Sequence, residues 1–159
     1  MQRRTLLVSG LAVASGGVAG CLGNGTAEAT NEFDYPTLEK DGVEVPLAPT
    51  ADVYDWYEGN DDLLVVDTRS AGEYQAVRIA GSELSPSPDG LETNDPIDAV
   101  DSETMIVTYC VCPHELATMR GSVAIRAGYP NVYALAGGLQ DWIDRGHPIS
   151  GTDADRYRS

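Results

Sequence analysis

The sequence predicts a single α/β domain built on a mainly parallel central sheet flanked by short helices, and three observations lead there. Leu63-Leu64-Val65-Val66 and Met105-Ile106-Val107-Thr108-Tyr109-Cys110 are short runs without polar alternation, the mark of strands buried on both faces. Directly after the second run, Leu116, Met119, Val123 and Ala127 recur at helical spacing. Glycine, proline, asparagine and aspartate punctuate the chain between such segments, so strands alternate with helices, the pattern of a layered parallel sheet. In these sheets chemistry sits outside the carboxyl ends of the strands. Asp67 and Cys110 each close an apolar run, which should bring both to one edge.

Taken in order, residues 1–20 read as an export signal: a basic head with Arg3-Arg4, an apolar stretch from Thr5 to Val18, and small residues ahead of Cys21. The paired arginines look like a twin-arginine signal, and Val18-Ala19-Gly20-Cys21 resembles a lipobox, which implies cleavage before Cys21 and a lipid on its sulfur. The expected location is the outer face of the cell membrane. An uncleaved N-terminal anchor helix is the rival reading. Residues 21–42 are poor in apolar side chains and read as a flexible acidic tether, with the folded domain over 43–150 and a disordered tail over 151–159. Within the domain, Val43 to Leu47 is a short strand that Pro46 should push to a sheet edge. Thr50 is placed to cap a helix through about Tyr57, ended by Gly59-Asn60. Ser70 caps a short helix through Tyr74, and Ile79 to Ser82 is an extended piece. Ser85 to Asp95 is loop, and a short helix is expected near Pro96 to Val100. Asn131 to Leu135 is the last long strand; Gly137-Gly138 turns into a helix over Leu139 to Arg145, which Gly146 and Pro148 end.

Charge excludes one class of partner. The 159 residues hold 25 Asp and Glu against 10 Lys and Arg, a formal net charge of −15, and Lys40 is the only lysine. Nucleic acid binding needs clustered cations to neutralise phosphates, so it is not expected. The acidic, lysine-poor composition resembles that of proteins from extreme halophiles, in which salt screens self-repulsion. No glycine-rich nucleotide motif is present, and no cofactor is expected. With Cys21 assigned to a lipid, Cys110 and Cys112 are the thiols of the folded domain, too few for a disulfide framework. Trp56, Tyr74, Tyr109, Tyr129 and Trp142 fall on inner faces or strand ends and read as core, and His147 as structural.

The candidate site is the loop Val111-Cys112-Pro113-His114-Glu115-Leu116 that follows Cys110. A thiol between a buried strand and a helix N-terminus faces backbone N–H groups without internal partners and the positive end of the helix dipole. A cysteine placed so is expected to react as the thiolate, hence as a nucleophile.

The ordered set of motifs resembles a rhodanese domain, the sulfur-transfer fold, over roughly Val43 to Ile149. The matching pieces are Leu63 to Asp67 followed by Thr68-Arg69, Glu73-Tyr74 with Arg78-Ile79-Ala80-Gly81-Ser82, Thr108-Tyr109-Cys110, Gly128-Tyr129 with Asn131-Val132-Tyr133, and Leu135 with Gly137-Gly138, Trp142 and Pro148. The resemblance implies that Cys110 takes sulfur from a small-molecule donor, carries it as a persulfide and passes it to a thiol or other thiophilic acceptor. It implies positioning roles for Asp67, Arg69 and Arg78, the last standing where the family has histidine. Together with the N-terminal signal and the acidic composition, the expectation is an exported lipoprotein of haloarchaeal type. The loop departs from the family: it is one residue longer, lacks the family's arginine and offers Glu115, which should disfavour thiosulfate and other dianions. Arg120 lies too far into the helix to clamp an anion as the phosphatase relatives do. Cys112 has three readings: a resolving thiol for Cys110, a small packed residue, or, with Cys110 and His114, a ligand of a soft metal. The relay reading is preferred and no metal site is assigned. The rival functions are a non-catalytic binding module of this fold and a thiol-disulfide or metal-handling lipoprotein built on Cys110 to His114.

Overall fold

The computed structural model describes residues 27–111 and 115–158. The expected export signal, Cys21, and the loop residues Cys112, Pro113 and His114 lie outside the described residues. Eight strands, β1 (Thr37–Lys40), β2 (Val43–Ala48), β3 (Leu64–Asp67), β4 (Arg78–Ile79), β5 (Glu83–Leu84), β6 (Ile106–Tyr109), β7 (Val132–Leu135) and β8 (Ile149–Ser150), alternate with four helices, α1 (Thr50–Gly59), α2 (Ala71–Ala76), α3 (Glu115–Arg126) and α4 (Gly138–Asp144). Six strands form one sheet in the order β1-β2-β7-β6-β3-β5. Every neighbour in it pairs in parallel except β1 with β2, and β4 with β8 makes a separate antiparallel ribbon. A single α/β domain with a mostly parallel sheet and short helices is what the strand-helix alternation predicts.

The sheet separates two apolar layers because successive side chains on a strand point to opposite faces. Val65, Val107, Tyr109, Tyr133 and Leu135 pack with Val53, Leu139 and Trp142 under α1 and α4. Leu64, Val66, Ile106, Val132 and Ala134 face Ala117, Ala124 and Ile125 of α3, and Cys110 joins this second layer. The end of β3 meets the end of β6, with Asp67 opposite Tyr109 in register.

Four expectations are corrected. Pro46 does not put β2 on an edge: β1 covers that side, Thr37 opposite Pro46, and β7 pairs on the other from Leu47 onward. Thr50 does not cap α1; it is buried in the first turn, and Pro49 holds the cap position. The α3 helix forms, but its buried face is Ala117, Thr118, Gly121, Ala124 and Ile125, while Leu116 is exposed. The cause is close approach: a Cβ on Gly121 would stand 3.2 Å from Val45 Cγ1, so at its middle the helix lies near enough to the sheet that a large side chain does not fit beneath it.

The fourth correction concerns the ends. The segment expected as tether already carries β1, and before it the Asn31 side chain brackets the Tyr35 backbone with two hydrogen bonds, Nδ2 donating at 2.9 Å and Oδ1 accepting at 3.0 Å. Phe33 and Tyr35 stack on each other and meet Trp56 at a tilt and Tyr133 edge-on, aromatic area that stands in for the missing aliphatic residues. The expected tail is anchored too: the N–H groups of Thr152 and Asp153 satisfy the last-turn carbonyls of Gln75 and Ala76 in α2, and Ala154 is buried. Among the described residues no helix is long and apolar enough to cross a membrane.

Candidate functional site

Cys110 leaves β6 at the carboxyl edge of the sheet with its side chain in the layer beneath α3, and it is 3 % exposed. Three elements fix the backbone around it. Thr68, one residue past β3, donates its N–H at 3.0 Å and its hydroxyl at 2.8 Å to the Tyr109 carbonyl. The Leu139 N–H at the start of α4 donates to the Cys110 carbonyl at 2.8 Å. The Thr108 hydroxyl donates to the Ala117 carbonyl at 2.9 Å, tying the strand to α3. Val111 is exposed, and α3 resumes at Glu115, also exposed, with Leu116 beside it. Of the predicted loop, therefore, Cys110, Val111, Glu115 and Leu116 are placed at this edge, whereas Cys112, Pro113 and His114 lie outside the described residues.

Asp67 and Arg69 form a buried bidentate pair: the guanidinium donates from Nε to Oδ1 at 2.9 Å and from Nη2 to Oδ2 at 2.6 Å. Burial alone would lower the Arg69 pKa, but the hydrogen bonds and charge of Asp67 outweigh it and raise it. The same Nη2 donates to the Val77 carbonyl at 2.6 Å, so what the pair braces is the junction of α2 and β4. That junction matters to the site indirectly. The Tyr109 hydroxyl accepts from the Ile79 N–H at 3.1 Å and shares a hydrogen bond with Ser82 Oγ at 2.8 Å. Burial, and after it the negative charge of Asp67, pushes the Tyr109 phenol far above its ordinary range, so it stays protonated at this post. Arg78 is engaged elsewhere: its guanidinium lies over the Tyr74 ring, 4.6 Å from the centroid, and donates to the Tyr74 carbonyl at 3.1 Å.

Sequence reasoning missed a second buried charge network. Arg120, on the face of α3 expected to be too deep for anion binding, donates from Nε to Ser85 Oγ at 2.8 Å and from Nη2 to Asp95 Oδ1 at 3.2 Å. Asp95 also accepts from the N–H groups of Leu91 and Ile97. The proline-rich loop is thereby tied to the helix that follows Cys110. Both buried arginines are thus neutralised by aspartates and neither offers an unshared positive charge. The contact of α4 with the Cys110 carbonyl was missed as well, although Gly137-Gly138 was its signal. Among the described residues no group of three or more His, Cys, Asp or Glu could hold a metal ion; the metal reading of the loop includes Cys112 and His114, outside them.

The comparisons with known proteins agree with this architecture. The rhodanese-like domain model matches residues 50–145. A Bacillus halodurans protein of known structure is 26% identical, with TM-score 0.59, over 67% of this chain and 77% of its own. The rhodanese-like domain of an Anabaena protein is 22% identical, with TM-score 0.62, over 70% and 83% of the two chains. The polysulfide-sulfur transferase of Wolinella succinogenes shares the fold at 20% identity and TM-score 0.54, over 67% and 79%. No curated protein matches the sequence. With the domain model spanning more than half of its length, the chain belongs to the rhodanese-like domain family.

Proposed function

We propose that the protein is a sulfurtransferase that carries sulfur as a persulfide on Cys110, at the outer face of the cell membrane and held there by a lipid on Cys21. The observation that carries this reading is the delivery of Cys110 by β6 to the carboxyl edge of the sheet, its carbonyl held by the Leu139 N–H and the first turn of α3 five residues on. In the first half-reaction the Cys110 thiolate bonds to the outer sulfur of the donor, and the bond between that sulfur and the rest of the donor breaks, its electron pair leaving with the departing group. In the second, a thiolate or other thiophilic acceptor attacks the terminal sulfur and the S–S pair returns to Cys110. The anionic persulfide is stabilised by N–H groups at the helix start.

The donor class follows from charge. Arg69 and Arg120 are each consumed by an aspartate, Glu115 stands exposed at the start of α3, and the chain is strongly acidic. Each like-charge approach at such an edge costs on the order of 1 kcal/mol, which weighs against thiosulfate and favours a donor of low negative charge.

Intact mass of the chain in high salt tests the reading, before and after incubation with thiosulfate or mercaptopyruvate and then with cyanide. The expected result is a gain of one sulfur that cyanide removes, lost in Cys110→Ser and kept in Cys112→Ser. A loss of two protons with no sulfur gained would make the loop a dithiol-disulfide pair instead. No change with any donor would leave a binding module.

A further inference from the structure

The Gly137-Gly138 pair that follows β7 has no part in the sulfur chemistry, yet the nearest neighbours of Gly138 are backbone atoms of the reactive segment. Gly138 has φ +65°, and a Cβ there would lie 2.8 Å from the Val111 carbonyl oxygen and 2.9 Å from that of Cys110. One residue on, the Leu139 N–H donates to the same Cys110 carbonyl at 2.8 Å. Neither neighbour is the movable end of a side chain. Nor has α4 room to retreat, since Leu139 and Trp142 are sealed into the core beneath it. On the opposite side the Cys110 side chain packs in the layer that holds Ala117 of α3.

We infer that Gly138 is a positioning residue for Cys110: its missing side chain lets the α4 backbone clamp the Cys110 and Val111 carbonyls, which sets where the thiol stands against the first turn of α3. Its purpose rests on the reading of Cys110 as the sulfur carrier, although the geometry does not. Any L-residue at 138 must push both carbonyls away and carry Cys110 with them. The glycine is required twice over, by its positive φ and by this close approach.

Alkylation of Cys110 by iodoacetamide in the full-length chain, followed against pH and resolved from Cys21 and Cys112 by peptide mass, provides the test, with the thermal midpoint recorded alongside. Gly138→Ala is compared with Gly146→Ala, whose φ is +74° and whose Cβ would meet nothing within 4 Å. The two substitutions share backbone strain; only the first displaces the loop. The expected result is a roughly tenfold slower reaction at Cys110 in Gly138→Ala, as misplacement of a reacting group costs, with a displaced pH profile, and an unchanged rate and profile in Gly146→Ala. Equal effects of the two variants, or unaltered reactivity in a folded Gly138→Ala, overturn the inference. Gly138→Asn, which tolerates positive φ but carries the same Cβ, replaces the alanine variant if that one does not fold.

The unaltered protein gives a reciprocal reading, because a contact that couples two positions acts in both directions. Alkylating Cys110 should hasten hydrogen exchange at the Leu139 amide; exchange that does not move with alkylation also overturns the inference. Alkylation needs no sulfur donor, so failure here and failure of sulfur loading are separate results.

Discussion

His147 shows at the scale of one residue how packing writes itself into titration. Its ring lies flat on Tyr54, centroids 3.7 Å apart and planes 9° from parallel, with the Trp142 edge against it. Burial lowers its pKa, Arg145 lowers it further, and Asp141 and Glu58 pull the other way. The fold thus favours the neutral ring, whereas the unfolded chain takes up a proton at the ordinary imidazole pKa. Stability contributed by this site is therefore full above that range and declines as pH falls through it towards the lowered folded value. We expect the urea midpoint to drop over this window, and His147→Phe, which keeps the stack without the proton, to remove that component. Parallel curves for the two proteins would show that the ring carries none of the pH dependence. In the same aromatic layer Tyr109 does a different job, its phenol pinning Ile79 and Ser82 one residue before the thiol.

At the scale of elements, α3 is held at two points by buried polar contacts: Thr108 to the Ala117 carbonyl near its start, and Arg120 to Asp95 and Ser85 in its middle. Removing one partner of a buried pair strands the other charge, at a cost of about 3–5 kcal/mol. Asp95→Ala should cost that much in urea unfolding, since it also orphans the Leu91 and Ile97 N–H groups. Adding Arg120→Met should recover part of the loss, as the stranded charge goes with it; a double variant no more stable than the single would mean that the pair itself contributes little. This network also marks what could be read in the sequence. Continuous apolar runs gave up β3 and β6, and the spacing after Cys110 gave up α3 as a helix. The buried face of α3 was misread, because small residues under a closely packed helix leave a weaker apolar signal than the exposed Leu116. The partnership of Arg120 with Asp95 spans 25 residues with no local signature. Edge strand β1, the sequence Thr-Leu-Glu-Lys, has exposed side chains and owes its place to pairing with β2. At the site, the position of Cys110 was legible from the strand it ends, while the clamp from α4 was present in the sequence only as a glycine pair.

Over the whole molecule the governing quantity is charge. Glu32, Asp61, Asp62, Asp101 and Glu103 surround an open depression at the amino ends of β3 and β6, and all six ion pairs among the described residues join arginine to aspartate. Self-repulsion across such a surface is screened as the Debye length falls from about 10 Å at 0.1 M salt to about 3 Å at 1 M. The thermal midpoint should accordingly rise by several degrees between 0.1 and 2 M potassium chloride, a salt chosen over sulfate because sulfate also strengthens apolar burial. A flat or falling midpoint would remove the case for adaptation to high salt.

The docking of the N-terminal segment fixes the edge at which the chain enters the fold. The Thr30 N–H is bonded to the Pro130 carbonyl just ahead of β7, at the amino edge of the parallel strands, whereas Cys110 leaves β6 at the carboxyl edge. The chain therefore joins the fold on the side away from the thiol. A lipid on Cys21, as proposed, would thus be tethered to the fold by its acidic edge, opposite the thiol.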